Sequence, residues 1–556
     1  MGRNPHRGKK TKMDVDQLNT IPRRCHNIPK SCLDKPKSIA KHFLLILWVA
    51  IPSCTPISLE RAGSEAVNDI VPELIKHHIF FLASDSLKGR NTPSAQLETA
   101  AQYIAAEFKA NGLEPVNGSY FHKVGLNIIS LGDDNDLKIT RNGIEKSYEI
   151  KSEFTPFDMT GNKEAEGLIV FAGYGITAPE YTYDDYKDID VKGKIVVVLR
   201  HEPGEEDTSS AFAGTRATDY SNVADKVRIA LEHGAIGVMV ATDPFNHALL
   251  TPRGFPWPSL SKFLPKDALP ITLGTDEEKK VPVVHIGEEA ISQLFGSVDS
   301  LKKLQVEIDR TMKPHSFEFI GASASMKTST NLKDMSSQNV VGFIEGSNTK
   351  LKNEIVIIGA HYDHVGFMKN PAPGTDGIFN GADDNASGTS AVLAVAAAFG
   401  SAPVRPKRSV LLMTFAAEEK GLLGSRAYVD NPLFPLEQTV AMINMDMVGR
   451  NNEDSLYVVG PSRSPDLAQI NSEENQHIGF ILVSDDRVIG GSDHMSFLRK
   501  NIPFIFYFTG FHPQYHQVTD HADLISTTKI ARVARLAFRT AWRIANDDKR
   551  YRVINP

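Results

Sequence analysis

From Glu73 to Leu113 the apolar positions recur at helical spacing, and the stretch from Ala100 to Lys109 is amphipathic. Asn111-Gly112 supplies the stop. From about Gly167 the pattern changes to short apolar runs bounded by turns. Runs at 167–172, 194–199, 237–241 and 281–285 read as strands, with a helix over 222–233 closed by Gly234. Residues 242–280 are loop-rich and carry Pro244, Pro252, Pro256, Pro258, Pro265 and Pro270. Asn339 to Gly346 reads as a strand and a turn. The apolar runs beginning at Ile355, Val410, Val440 and Ile502 then read as buried strands of a parallel sheet. Helical stretches lie between them, one starting at Ser387 and a final one spanning roughly Thr528 to Asn546. This alternation predicts an α/β fold, with a mixed, largely parallel central sheet and helices on both faces. A β-rich module is inserted into it over roughly 160–300.

The chain has 556 residues, 41% hydrophobic and 23% charged, which fits a globular protein of two or three domains. A net charge of -6 gives no basic footprint for nucleic acid. The three cysteines are Cys25, Cys32 and Cys54, so the body beyond them has no disulfide and no thiolate nucleophile. A basic N-terminus precedes the apolar run Phe43 to Ile51. That run is too short to span a bilayer and fits the core of a signal peptide. Ile51-Pro52-Ser53-Cys54 is similar to a lipoprotein cleavage box, with Cys54 as the lipid-bearing residue and the membrane as its partner. Plain cleavage near Ser53 is the alternative. Residues 1–54 are therefore expected to be a leader, and the protein to be exported, as a periplasmic or outer-membrane lipoprotein or in secreted form.

The strand ends carry the chemistry. His361 and Asp363 leave the end of the first run, and Asp383-Asp384-Asn385 precedes the next helix. Glu418-Glu419 follow the second run, Asp446 the third, and Tyr515-His516 the last. Taken singly, each of these is an ordinary turn, cap or solvated residue. Together, His361, Asp384, Glu419, Asp446 and His516 can meet at one sheet edge, where open α/β sheets bind ligands. Nitrogen and oxygen donors without thiolate suit zinc, with cobalt or manganese as alternatives. Five ligands with one bridging carboxylate suit two metals about 3.5–4 Å apart.

The motifs HYDHVG, NGADDNASG, FAAEEKGLLGS, INMDMVGR, GGSDHMSF and YHQVTD resemble, in order, the signature set of the co-catalytic dizinc aminopeptidase family. Relatives in that family include bacterial leucyl aminopeptidases, glutamate carboxypeptidase and the transferrin receptor. The inserted block resembles a protease-associated domain. The resemblance implies a peptidase domain over 66–159 and 301–549 interrupted by that domain at 160–300. It implies two zinc ions held by His361, Glu419, Asp446 and His516, with Asp384 bridging and a cis peptide after it. It makes Glu418 the general base that activates a metal-bound water. Asp363 would hold the tautomer of His361, and Tyr515 would donate to the oxyanion. Ser492-Asp493-His494 would lie near the substrate pocket, with Phe497 as a wall, while His364 and Asp520 carry no ligand role. The implied activity is removal of the N-terminal residue from peptides with a free amine. The rival activities are carboxypeptidase or dipeptidase of the same fold, and a catalytically inactive binding protein.

Overall fold

The computed structural model describes residues 57–554, apart from 213, 215–217, 250–269, 275–276 and 485–490. The expected leader and Cys54 lie outside the described residues.

Nine strands form the first sheet, in the order Ile271–Leu273, Phe121–Leu131, Thr330–Ile344, Ser409–Phe415, Ile355–His361, Thr439–Met445, Phe504–Phe508, Ser455–Val459 and Ile481–Ser484. The four middle strands, from Ser409–Phe415 to Phe504–Phe508, run parallel. Antiparallel partners flank them on both sides, so the sheet is mixed with a parallel centre. Side-chain alternation splits its core in two. Val356, Ile358 and Ala360 face one cluster, shared with the helices Gly388–Ser401 and Thr527–Asn546. Ile355 and Ile357 face the other, shared with Tyr428 of the helix Leu423–Asp430 and Phe497 of the helix His494–Leu498. Both faces are thus covered, which is why these strands read as continuous apolar runs.

The N-terminal helices are Leu59–Ala66, Pro72–Leu82 and Ala95–Ala110. The last is capped by the Ser94 hydroxyl, which accepts from the Leu97 amide, and it closes at Asn111 with Gly112 at φ +76°. The strand Phe121–Leu131 was not legible as a strand in the sequence, yet it pairs with Thr330–Ile344 along its whole length. Gly125 and several exposed polar positions dilute its alternation.

A second, eight-stranded sheet runs Ile144–Ser147, Asp136–Arg141, Phe317–Thr328, Lys163–Phe171, Ile195–Leu199, Gly237–Ala241, Val283–Ile286 and Phe154–Pro156. Its four strands from Lys163–Phe171 to Val283–Ile286 are parallel. It has its own buried clusters on its two faces. Its strands extend past both ends of the expected 160–300 insert. The two chain connections to it run side by side, with the Gly132 amide donating to the Ser329 carbonyl at 2.9 Å. One strand from within this region, Ile271–Leu273, pairs instead with Phe121–Leu131 of the first sheet.

Candidate metal centre

The chemistry-bearing residues emerge where the parallel strands stop. Ile355–His361 is buried throughout and delivers His361 at its last position. Ser409–Phe415 leads through Ala417, at φ +57°, into a short turn carrying Glu418 and Glu419. Thr439–Met445 is followed directly by Asp446. The loop after Phe504–Phe508 returns His516 to the same edge. Asp384 arrives from a wide turn over Ala382–Ser387 that opens the helix Gly388–Ser401. Gly381 enters that turn at φ +58°, and a Cβ there would lie 2.2 Å from the Asp384 carbonyl oxygen and 2.5 Å from the His364 ring. Only glycine fits. The Asp384–Asn385 peptide is cis.

Asp384 divides its carboxylate between two groups of residues. One oxygen lies 3.3 Å from His361 Nε2, which is itself 3.3 Å from Asp446 Oδ1 and 3.9 Å from Glu418 Oε2. The other oxygen lies 2.9 Å from His516 Nε2, which is 3.2 Å from Glu419 Oε2. Ligand-capable atoms of His361, Glu418 and Asp446 lie within 4.8 Å of one another, as do those of His364, Asp384, Glu419 and His516. His361 Nε2 and Asp446 Oδ1 are buried without a hydrogen bond. Buried polar atoms in that state are costly unless something else satisfies them. The donor set therefore fits a pair of divalent cations, with Asp384 facing both positions.

The electrostatics separate the two adjacent glutamates. Burial raises Glu418 well above the usual carboxylate range, and Glu419, Asp446 and Asp493 add to that against the opposing pull of His361. For Glu419, burial and Asp384 push upward, but His364 and His516 win and bring it down to about 2. Asp384 is likewise held well below its ordinary value: burial opposes ionisation, but His364, His361 and His516 outweigh it. His361 is raised well above the usual imidazole value because Asp446, Glu418 and Asp384 overcome its burial. His516 rises to about 10 because Asp384 and Glu419 overcome its burial in the same way.

Supporting contacts account for several further residues. The nearest acceptor to His361 Nδ1 is the Asp363 main-chain carbonyl at 3.2 Å, with the Asp363 carboxylate at 3.8 Å. That carboxylate accepts instead from the Glu418 amide at 3.1 Å and the Thr92 hydroxyl at 3.0 Å. It thereby positions the turn that carries both glutamates. His364 Nδ1 donates to Glu419 Oε1 at 2.7 Å, so it belongs to the Glu419 side of the centre. Sequence reading left it without a ligand role, and its only signal was its place in HYDHVG. Asp520 accepts from the amides of Asp383 and Asp384. Arg90, fully buried, donates to the carbonyls of Tyr362, Leu82, Asn380 and Gly381, tying the N-terminal segment to the Asp384 turn. Nothing in the local sequence around Arg90 signals this role.

The Tyr515 ring stacks on His516 at 3.9 Å, and burial together with the surrounding carboxylates keeps its hydroxyl protonated. Ser492 accepts from Asn444 at 2.8 Å, and His494 stacks on Phe506. Phe497, expected as a pocket wall, is fully buried in the core beside Phe415 and Tyr428.

A parallel-centred α/β sheet with clustered imidazoles and carboxylates at its carboxyl edge suits metal-assisted hydrolysis as a class. Residues 339–541 match Peptidase family M28 and residues 160–294 match the PA domain. The region of the first centre is thus similar to Peptidase family M28, and the stretch ahead of it to a PA domain. It is 30% identical over 243 residues to aminopeptidase YwaD of Bacillus subtilis, covering 42% of this chain and 50% of YwaD. It is 22% identical over 517 residues to the probable lipoprotein aminopeptidase LpqL of Mycobacterium tuberculosis, covering 86% of this chain and 85% of LpqL. The matched stretches also span half the length of the mouse and rat NAALADL1 aminopeptidases. Among solved structures, the aminopeptidase from Aneurinibacillus sp. strain AM-1 aligns with a TM-score of 0.48 and 22% identity, over 89% of this chain and 98% of that one.

Proposed function

We propose that this protein is an exported, zinc-dependent aminopeptidase that removes the N-terminal residue from peptides with a free amine. The observation that carries the reading is the Asp384 carboxylate, one oxygen facing His361 and the other His516. Two divalent cations, zinc foremost with cobalt or manganese as alternatives, would be held by His361, Asp384 and Asp446 and by Asp384, Glu419 and His516. When bound they would supply Lewis acidity and a water of lowered pKa.

The remaining steps belong to the chain itself. Glu418 takes the proton of the attacking water and passes it to the leaving amine. Glu418 lies among three carboxylates and Glu419 meets two imidazoles, which suits the first to proton transfer and the second to holding a cation. Asp363 positions Glu418 through its main-chain amide. Tyr515 donates a hydrogen bond to the developing oxyanion. The relatives named as aminopeptidases favour that activity over the carboxypeptidase alternative. The relative named as a probable lipoprotein supports export and attachment through Cys54.

Rates on aminoacyl and peptide substrates with free and N-acetylated amines test the activity. Free-amine substrates should be cleaved and the acetylated forms scarcely at all. Equal rates on both, or release of C-terminal residues first, would overturn the reading.

A further inference from the structure

The second sheet repeats, at its own carboxyl edge, the placement that builds the first centre. Strands Ile195–Leu199 and Gly237–Ala241 are parallel neighbours in which Leu199 pairs with Ala241. Two residues beyond that pair stand His201 and Asp243, with His201 Nδ1 at 2.8 and 3.0 Å from the Asp243 carboxylate oxygens. Four residues further on, each chain folds back. Glu205 returns beside His201, and the His247 amide donates to the Asp243 carbonyl at 3.2 Å in a single helical turn. The contacts then cross over: His247 Nε2 lies 2.5 Å from Glu205 and 3.6 Å from Asp243, and His201 Nδ1 lies 3.8 Å from Glu205.

We propose that His201, Glu205, Asp243 and His247 form a third, mononuclear binding site for a divalent transition-metal cation of the zinc type, within the PA domain. All four residues offer a ligand atom within 4.8 Å of the others. Four donors around zinc at about 2.0–2.1 Å would stand roughly 3.3 Å apart in a tetrahedron. The imidazole-to-carboxylate separations, from 2.5 to 3.8 Å, bracket that spacing.

The cluster pairs its two imidazoles with two carboxylates in a crossed arrangement. The imidazoles aim one nitrogen each at the same two carboxylates, and Arg200 and Lys226 supply further positive charge near Asp243 and Glu205. The two imidazole rings lie side by side with centroids 4.0 Å apart. A dication would be held by two imidazole nitrogens and two carboxylates, and the absence of thiolate and the mix of nitrogen with oxygen select zinc, cobalt or nickel over calcium or magnesium.

The site is held in place from outside. The Asn246 amide donates to Glu205 at 2.9 Å, and the Phe245 amide donates to Gln305 of the helix Val298–Thr311 at 2.7 Å. Lys226 anchors the main chain of His201 by donating to its carbonyl at 2.5 Å. Access is open at the rim, where the His247 side chain is 38% exposed, and closed at the base, where Asp243 is 0% exposed.

Zinc titrations of the whole chain, followed by native mass spectrometry and elemental analysis, test this directly. The double variant His201→Gln/His247→Gln should bind one zinc fewer than the natural protein and keep its peptidase activity. Introduced alongside Glu419→Gln, its loss should add to the loss at the first centre. If the double variant does not fold, His247→Gln alone, at the exposed rim, should weaken that one zinc equivalent at least tenfold. Unchanged zinc number and affinity in the folded variant would make the cluster an ion-pair network and overturn the proposal. Displacement of this zinc by equimolar calcium would overturn the assigned cation class.

Discussion

Glu418 and Glu419 are adjacent in the chain and opposite in surroundings. Glu419 meets two imidazoles, whereas Glu418 faces His361 across 3.9 Å with three carboxylates around it. Elsewhere a single residue sets a pH response. His78 is buried, and its Nδ1 lies 2.6 Å from the Tyr103 hydroxyl. Burial, helped by the neighbouring His77, pushes its pKa down to about 3. The unfolded chain takes up this proton near pH 6.5 and the folded chain does not. The stabilising effect is therefore complete above pH 6.5 and falls as pH drops toward 3, by up to roughly 1.4 kcal/mol per pH unit. Urea midpoints measured between pH 7 and pH 5 should show His78→Gln with a slope reduced by about that amount. An unchanged slope would contradict the neutral, buried state. At this scale, His361, Glu418, Glu419 and Asp446 are marked in the sequence by the apolar strands they follow, whereas Asp384 and His516 sit on a turn and a loop. His364 and the main-chain role of Asp363 were not legible, since both depend on where the Glu418–Glu419 turn folds back.

At the scale of elements, strands buried on both faces announced themselves, and half-exposed ones did not. Ile355–His361 and Thr439–Met445 are apolar throughout. Phe121–Leu131 has polar and glycine positions facing out, and its identity as a strand comes from its partner across the sheet. The same holds for the second sheet, whose outer strands Asp136–Arg141 and Phe317–Thr328 lie beyond the block that its apolar runs marked. The adjacent connections at Gly132 and Ser329 suggest the place to divide the chain. Replacing residues 133–328 with a short glycine linker should leave a folded protein that keeps the two metals of the first centre and loses the PA-domain zinc. The edge strand Ile271–Leu273 goes with the deleted segment, at the cost of one short pairing. Loss of all bound metal from a soluble, folded deletion protein would show that the second sheet is needed to assemble the centre.

At the scale of the whole molecule, two sheets each carry polar clusters beyond the ends of parallel strands, and the N-terminal segment is stitched to the larger sheet through Arg90. No helix among the described residues is long and apolar enough to cross a membrane. Attachment to a membrane would rest on the lipid at Cys54. N-terminal sequencing and intact mass of protein from the membrane fraction should find the mature chain beginning at Cys54, and an intact leader on that protein would contradict export by this route.

In the proposed mechanism Asp384 joins two metal positions, with Glu419 as a ligand and Glu418 as the base. Metal content and turnover of Glu418→Gln and Glu419→Gln, measured side by side, test it most directly. Glu418→Gln should keep the full metal content and lose about 10²–10⁴ in turnover, beyond recovery by added zinc. Glu419→Gln should lose one metal and regain part of its activity when zinc or cobalt is added. Metal loss at Glu418→Gln, with full metal content and zinc-insensitive inactivity at Glu419→Gln, would mean that the two glutamates have exchanged roles.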